Sequence, residues 1–247
     1  MGLTIHYIFK AGDVSTDEAR ALVRQLRTAA LDLPFDHVSE IVEVLRGSRS
    51  SKESEVSPEA LLLTARAQHP VISTFKGQDC GEILSPNEMI GFIVVPAEGS
   101  EVACFGLARY PTSIIRDGQS ITTDLDGWRW WAFCKTQYAS NPSLGGVKQF
   151  LRCHLGIISL LDKAKELGIL DEVKDEGGYW EKRDVEALVK EIGRWNAMLA
   201  GFVGRLNDHM EKAGRDRRSV ASAITEFPDF EHLEAEGRAG EKGLDEI

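Results

Sequence analysis

Between Gly127 and Leu161 the chain carries no aspartate or glutamate, although Asp and Glu outnumber Lys and Arg by 39 to 29 over its 247 residues. Arg129, Lys135, Lys148 and Arg152 supply the charge of that stretch, so an anionic ligand would not meet like charge there. A buried strand running into a core helix would leave the same gap. Over the whole chain the shortage is of bases. A net charge of −10 excludes the basic excess that nucleic acid and anionic membrane surfaces attract. No apolar run approaches the ~18 residues a bilayer span needs. The four cysteines, Cys80, Cys104, Cys134 and Cys153, are irregularly spaced in a chain too large to need bridges. They are expected as reduced thiols, most of them packed as small hydrophobes. The six histidines and these cysteines never fall into a C-x-x-C, H-x-x-x-H or H-E-x-x-H spacing, so no metal is expected, and no cofactor either. Met1 to Phe9 lacks the basic and apolar regions of a secretory signal, and the expected location is cytoplasmic.

What is present is ordinary globular material. Hydrophobic residues make up 43% and charged residues 28%, enough for one cored domain over residues 1–212, followed by a partly ordered acidic tail over 213–247. Leu3 to Phe9 is β-branched and aromatic and predicts a first strand. Ser15 and Glu18 form a capping box, and Leu22, Val23, Leu26, Ala29 and Ala30 repeat at helical period until Pro34. Val38 to Leu45 gives the next strand, so the start is β-α-β. Residues 46–58 are polar and predict a mobile loop, and Pro58 opens a short helix to about Gln68.

Val71 to Phe75, Met89 to Val95 and Val102 to Tyr110 predict strands, the last two joined through Ala97-Glu98-Gly99-Ser100. Ile121 to Tyr138 extends the sheet, with a break at Asp126-Gly127. Two long helices follow, Val147 to Gly168 and Asp184 to about Met210, separated by a charged, glycine-containing connector. The expected fold is α+β: a largely antiparallel sheet with a β-α-β start, backed by a C-terminal antiparallel pair of long helices. On the second helix, Gly193, Ala197, Ala200 and Gly204 form a strip that admits a close backbone neighbour, either within the domain or across a homodimer.

Two constellations bear on chemistry. The loop Ser140 to Gly146 feeds a helix N-terminus, where free N–H groups and the macrodipole favour anions. Gly145, Gly146, Lys148 and Arg152, with Arg129, Lys135 and Tyr138 on the preceding strand, are the candidate ligand-binding residues. The spacing matches neither the phosphate-binding nor the dinucleotide-binding glycine fingerprint. The plainer reading is Ser143 capping the helix beside a tight glycine turn. The second constellation is Cys134 with His154, a thiol and an imidazole that meet if the helix covers that strand face. Against it stands a hydrogen-bonded core histidine. The opposite strand face interleaves Arg129, Trp131, Phe133, Lys135 and Gln137, a pattern suited to stacking on a ligand ring or to a protein interface.

The opening GLTIHY, the WRWWAFCKTQYAS strand, the GGVKQFLRCHLGIISLLDKAKELGIL helix and the DEGGYWEKRD connector resemble an uncharacterised bacterial protein family. The resemblance implies a bacterial cytoplasmic protein and carries no catalytic role to any position. The function expected is that of a binding or interaction protein, using the Trp-rich strand 128–138 and the Gly145-Gly146 loop. Its partner would be a small anionic ligand or another protein. The alternative is an enzyme acting on a small anionic substrate through Cys134 and His154.

Overall fold

A computed structural model describes residues 3–45, 57–75, 78–116, 118–212 and 222–242. The chain opens with β1 (Thr4–Gly12), α1 (Thr16–Leu31), β2 (His37–Val38) and β3 (Val42–Leu45). α2 (Pro58–Arg66) leads to the hairpin of β4 (His69–Phe75) and β5 (Gln78–Leu84), then to β6 (Glu88–Val95) and β7 (Ala103–Arg109). A small hairpin, β8 (Ser113–Arg116) and β9 (Gln119–Thr122), precedes β10 (Trp128–Lys135). Two 3₁₀ turns connect β10 to α3 (Gly146–Glu166), followed by β11 (Leu170–Asp175), α4 (Tyr179–Lys182), α5 (Val185–Lys212) and α6 (Phe230–Lys242). The fold is α+β.

The main sheet has seven strands in the order β11-β1-β10-β7-β6-β2, with β3 also on β6, and every pairing is antiparallel. β1 and β2 therefore run the same way, with three later strands inserted between them. α1 makes the connection. Its capping box is formed as the sequence predicts: Ser15 accepts from the Glu18 N–H while Glu18 reaches back to the Ser15 N–H. Ala19, Val23, Leu26 and Ala30 turn inward over β6 and β7. α3 lies beside α1 and buries Ile157, Ile158 and Leu161 in the same core as Ile5, Tyr7, Phe9, Trp128 and Trp130.

The second face of the sheet is covered unevenly. α2 sits over β6, its Leu63 above the cross-strand pair Gly91 and Gly106. Bare backbone is needed there: a Cβ on Gly106 would stand 2.5 Å from the Ile90 carbonyl oxygen, and one on Gly91 3.4 Å from Leu63. As a result both faces of β6 and β7 are buried from Met89 to Val94 and from Ala103 to Ala108. α2 reaches β10 on this side through Arg66, its last residue, over Phe133, and apart from the buried Thr4 the residues of β10, β1 and β11 there stay half-buried or exposed.

Four details go beyond the sequence expectation. The strand expected to run to Tyr138 stops at Lys135 and turns into a 3₁₀ helix (Gln137–Ser140). The charged connector contains a true strand, β11. The tail expected to be only partly ordered contains α6, which packs along α5. Part of the small-residue strip serves that contact: Gly237 of α6 abuts the Ala197 carbonyl, and Gly204 leaves room for the Glu234 side chain, whereas Gly193 has open space beside it. Gly201, next to the strip, adds to the seam, since a Cβ there would lie 2.9 Å from Gly237. The loop expected over 46–58 lies outside the described residues except at Ser57, which caps α2, and Pro58, its first residue.

Candidate functional site

β10 sorts its side chains by the two-residue period of a strand. Trp128, Trp130, Ala132 and Cys134 face the helices and are buried. The two indoles find acceptors, Trp128 Nε1 donating to the Val14 carbonyl at 3.0 Å and Trp130 Nε1 to the Cys104 carbonyl at 2.9 Å. Cys134 donates to the Glu101 carbonyl at 3.3 Å. Burial pushes its thiol well above the ordinary range, with the nearby Glu101 carboxylate adding to the effect. Burial likewise raises Cys104 and Cys153 to about 11. The reactive form of each thiol is thus suppressed at neutral pH.

His154 is buried on α3, and both of its ring nitrogens are engaged. Nδ1 lies 3.0 Å from Thr136 Oγ1 and Nε2 lies 3.2 Å from Asp175 Oδ2. Asp175, at the end of β11, also accepts from the backbone N–H groups of Gly177 (2.8 Å), Tyr179 (2.8 Å) and Trp180 (2.9 Å). Burial alone would raise its carboxyl, but the bonds from His154 and from the Trp180 and Gly177 N–H groups prevail and hold it below the ordinary range. An ionised Asp175 takes Nε2–H from the imidazole, leaving Nδ1 to accept from the Thr136 hydroxyl. The imidazole is thereby bonded to a hydroxyl and a carboxylate, not to Cys134. A hydroxyl, imidazole and carboxylate in line suggest a nucleophilic triad, yet all three side chains are sealed from solvent. Substrate has no approach to Thr136.

A second buried network adjoins it. Gln137 accepts from the Leu3 N–H and donates to Asn196 on α5, which donates to Ser140. Together the two networks fix the junction of β10, α3, β11 and α5.

The candidate anion-binding residues do not converge. Arg129 pairs with Asp126 at 2.5 Å, and Arg152 with Asp36 at 2.5 Å while also donating to the Pro34 carbonyl. Lys135 donates to the Tyr138 hydroxyl at 3.2 Å and lies over its ring. Arg129 and Lys135 stand six residues apart on one strand, about 20 Å. Gly145 (φ 112°) and Gly146 (φ 64°) provide the left-handed turn into α3, and Gly145, not Ser143, occupies its N-cap. Ser143 instead donates its N–H to the Asn141 side chain. Lys148 is exposed on the first turn.

The open side of β10 is different. Trp131 is 37% exposed, its ring 5.7 Å from that of Phe133, which lies 5.8 Å from the His6 imidazole across the strand pair. Arg66, the last residue of α2, caps Phe133 at 4.5 Å. Register places Ile8 between Trp131 on β10 and Glu172 on β11, and His6 between Phe133 and Lys174. Shorter residues flanked by longer ones leave a hollow of about 200 Å³, lined by His6, Ile8, Trp131, Glu172 and Lys174. A wider groove of about 630 Å³ runs between α1 and α3, but its Asp162 is held by Arg183 and its Lys163 by Glu166. Among the described residues no three His, Cys, Asp or Glu side chains are grouped to hold a metal ion.

Reading by residue type and spacing picks out Trp131, Phe133 and His154 but misses Thr136, Asp175, His6 and Ile8 as their neighbours. Strand register is what joins them, and β11 carries too many charges to announce itself as a strand. The chain matches no protein-family model, no curated protein and no solved structure.

Proposed function

We propose that the protein is a binding module whose recognition surface is the open half of the sheet's second face, centred on Trp131 and the hollow over Ile8. Its occupant is a planar aromatic group, such as an aromatic side chain presented by a protein partner. The observation that carries this reading is the exposure of Trp131 beside Phe133 and His6 on a strand whose other face is closed. An indole face with an aliphatic floor rewards stacking and desolvation, and Trp and Arg are favoured anchors at interfaces. Lys174 and Glu172 at the rim offer orientation to polar substituents.

The enzyme alternative has less support. Its thiols are buried with raised pKa values, and its imidazole is engaged on both nitrogens. NMR titration with a panel of aromatic fragments, with and without a carboxylate, tests the reading. Shifts should cluster at the Trp131 indole N–H and the amides of His6, Ile8 and Lys174. An undisturbed Trp131 indole, or shifts gathered in the α1–α3 groove, would defeat it.

A further inference from the structure

β11 is the outermost strand of the main sheet, and among the described residues nothing pairs with its outer edge. Its hydrogen-bonding phase follows from the register. Glu176 donates its N–H inward to Thr4, so by alternation Lys174 and Glu172 also bond inward and Val173 turns its N–H and C=O outward. Asp171 is the extra residue where the register shifts, and Lys10 holds its carboxylate at 2.7 Å. The free edge is therefore Glu172, Val173 and Lys174. Glu172 and Lys174 share the open face, are exposed, and have no ion-pair partner among the described residues.

We propose that a second copy of this chain pairs antiparallel with this edge, about a two-fold axis through Val173. Only residues on the same face stand opposite each other in such a pair, which limits the registers. An axis at Glu172 sets Glu172 against itself. An axis at Lys174 sets Lys174 against itself and Glu172 against Glu176. The axis at Val173 alone sets Glu172 opposite Lys174 of the second copy, twice. It also lets the two Val173 residues exchange both N–H···O=C bonds. The charged residues then occupy the non-hydrogen-bonded sites, where side chains approach most closely. A solitary edge is usually defended by charge that repels its own kind; this one is self-complementary. An axis perpendicular to the sheet keeps both open faces on one side. Glu172 and Lys174 of the second copy then wall the outer rim of the hollow over Ile8, whatever that hollow binds.

Light scattering on the full chain across a concentration series, with charge-reversed variants, tests this. The wild-type mass should rise from one chain toward two. Glu172→Lys and Lys174→Glu should each stay at one chain, since each presents four like charges at the axis. Their equimolar mixture should recover the doubled mass, and so should the double swap E172K/K174E. Both positions are exposed, and circular dichroism should show each variant folded. A wild-type mass fixed at one chain up to about 1 mM protein overturns the proposal. So does a dimer that survives either single reversal, or a mixture that fails to associate.

Discussion

Two adjacent tryptophans of one strand have opposite surroundings. Trp130 is 1% exposed, with its indole nitrogen bonded to Cys104; Trp131, the next residue, is 37% exposed on the other face of the sheet. Their chemistry is the same. What separates them is whether a layer lies above: α1 and α3 close the first face throughout, whereas α2 stops at Arg66 and covers only part of the second. The same division governs the polar groups. Thr136, His154 and Asp175 are fully paired in a dry junction, while His6, Glu172 and Lys174 rim a hollow. The paired, dry set is architecture, and the set around the hollow is the surface proposed for recognition.

Substitutions can widen or erase that contrast. Trp130→Ala should cost about 3–5 kcal/mol in urea denaturation, because it empties a packed site, while the Cys104 carbonyl keeps its bond from the Tyr7 hydroxyl. His154→Ala removes the donor to Asp175 and should cost about 3 kcal/mol, leaving a buried carboxylate short of one bond. Acid should reproduce part of that loss. The folded pKa of Asp175 lies below its reference value of 3.8. Its contribution is therefore complete above that value and disappears as pH falls through the folded pKa. Asp175→Asn should flatten the fall in stability between about pH 5 and 2, and an unchanged slope would place the acid sensitivity elsewhere.

In a Cys80→Ser background, Cys104, Cys134 and Cys153 should react with a thiol reagent only as fast as the chain unfolds. Rapid labelling of any of them would open a region described above as sealed. The smallest effect belongs to Trp131→Ser, expected within about 1 kcal/mol of wild type. Acrylamide should quench less of the variant's fluorescence, since the removed indole is half in water. A large loss of stability there would make Trp131 part of the core and end the contrast.

The fold was legible wherever periodicity reports burial. The capping box at Ser15, the stripes of α1, α3 and α5, and the hairpin around Gly99 all follow from apolar spacing and turn chemistry. β11 was not legible, since Asp171, Glu172 and Lys174 sit on an edge that buries little and so needs no apolar alternation. With β11 hidden, the partner of His154 was hidden too: Asp175 lies 21 residues away and reaches the imidazole only through β1–β11 pairing. The candidate cations were identified individually, but their acidic partners at Asp126 and Asp36 depend on turns and long-range contacts that spacing does not encode. α6 escaped notice because its apolar stripe is short: Phe230 and Leu233 join the cluster on α5, and beyond them the helix meets its neighbour at Gly237.

That glycine seam has a mechanical corollary. α6 rests chiefly on α5 and on the short turn before it, in a satellite cluster of Ala200, Val203, Ile224, Phe227 and Leu233 that is separate from the sheet's core. Leu233 and the Arg238–Asp208 ion pair tie the seam together, but none of these contacts reaches the sheet, so the seam can part without disturbing it. The carboxy-terminal helix is accordingly the portion that can come undone first on warming, while the β-layer beneath retains its shape.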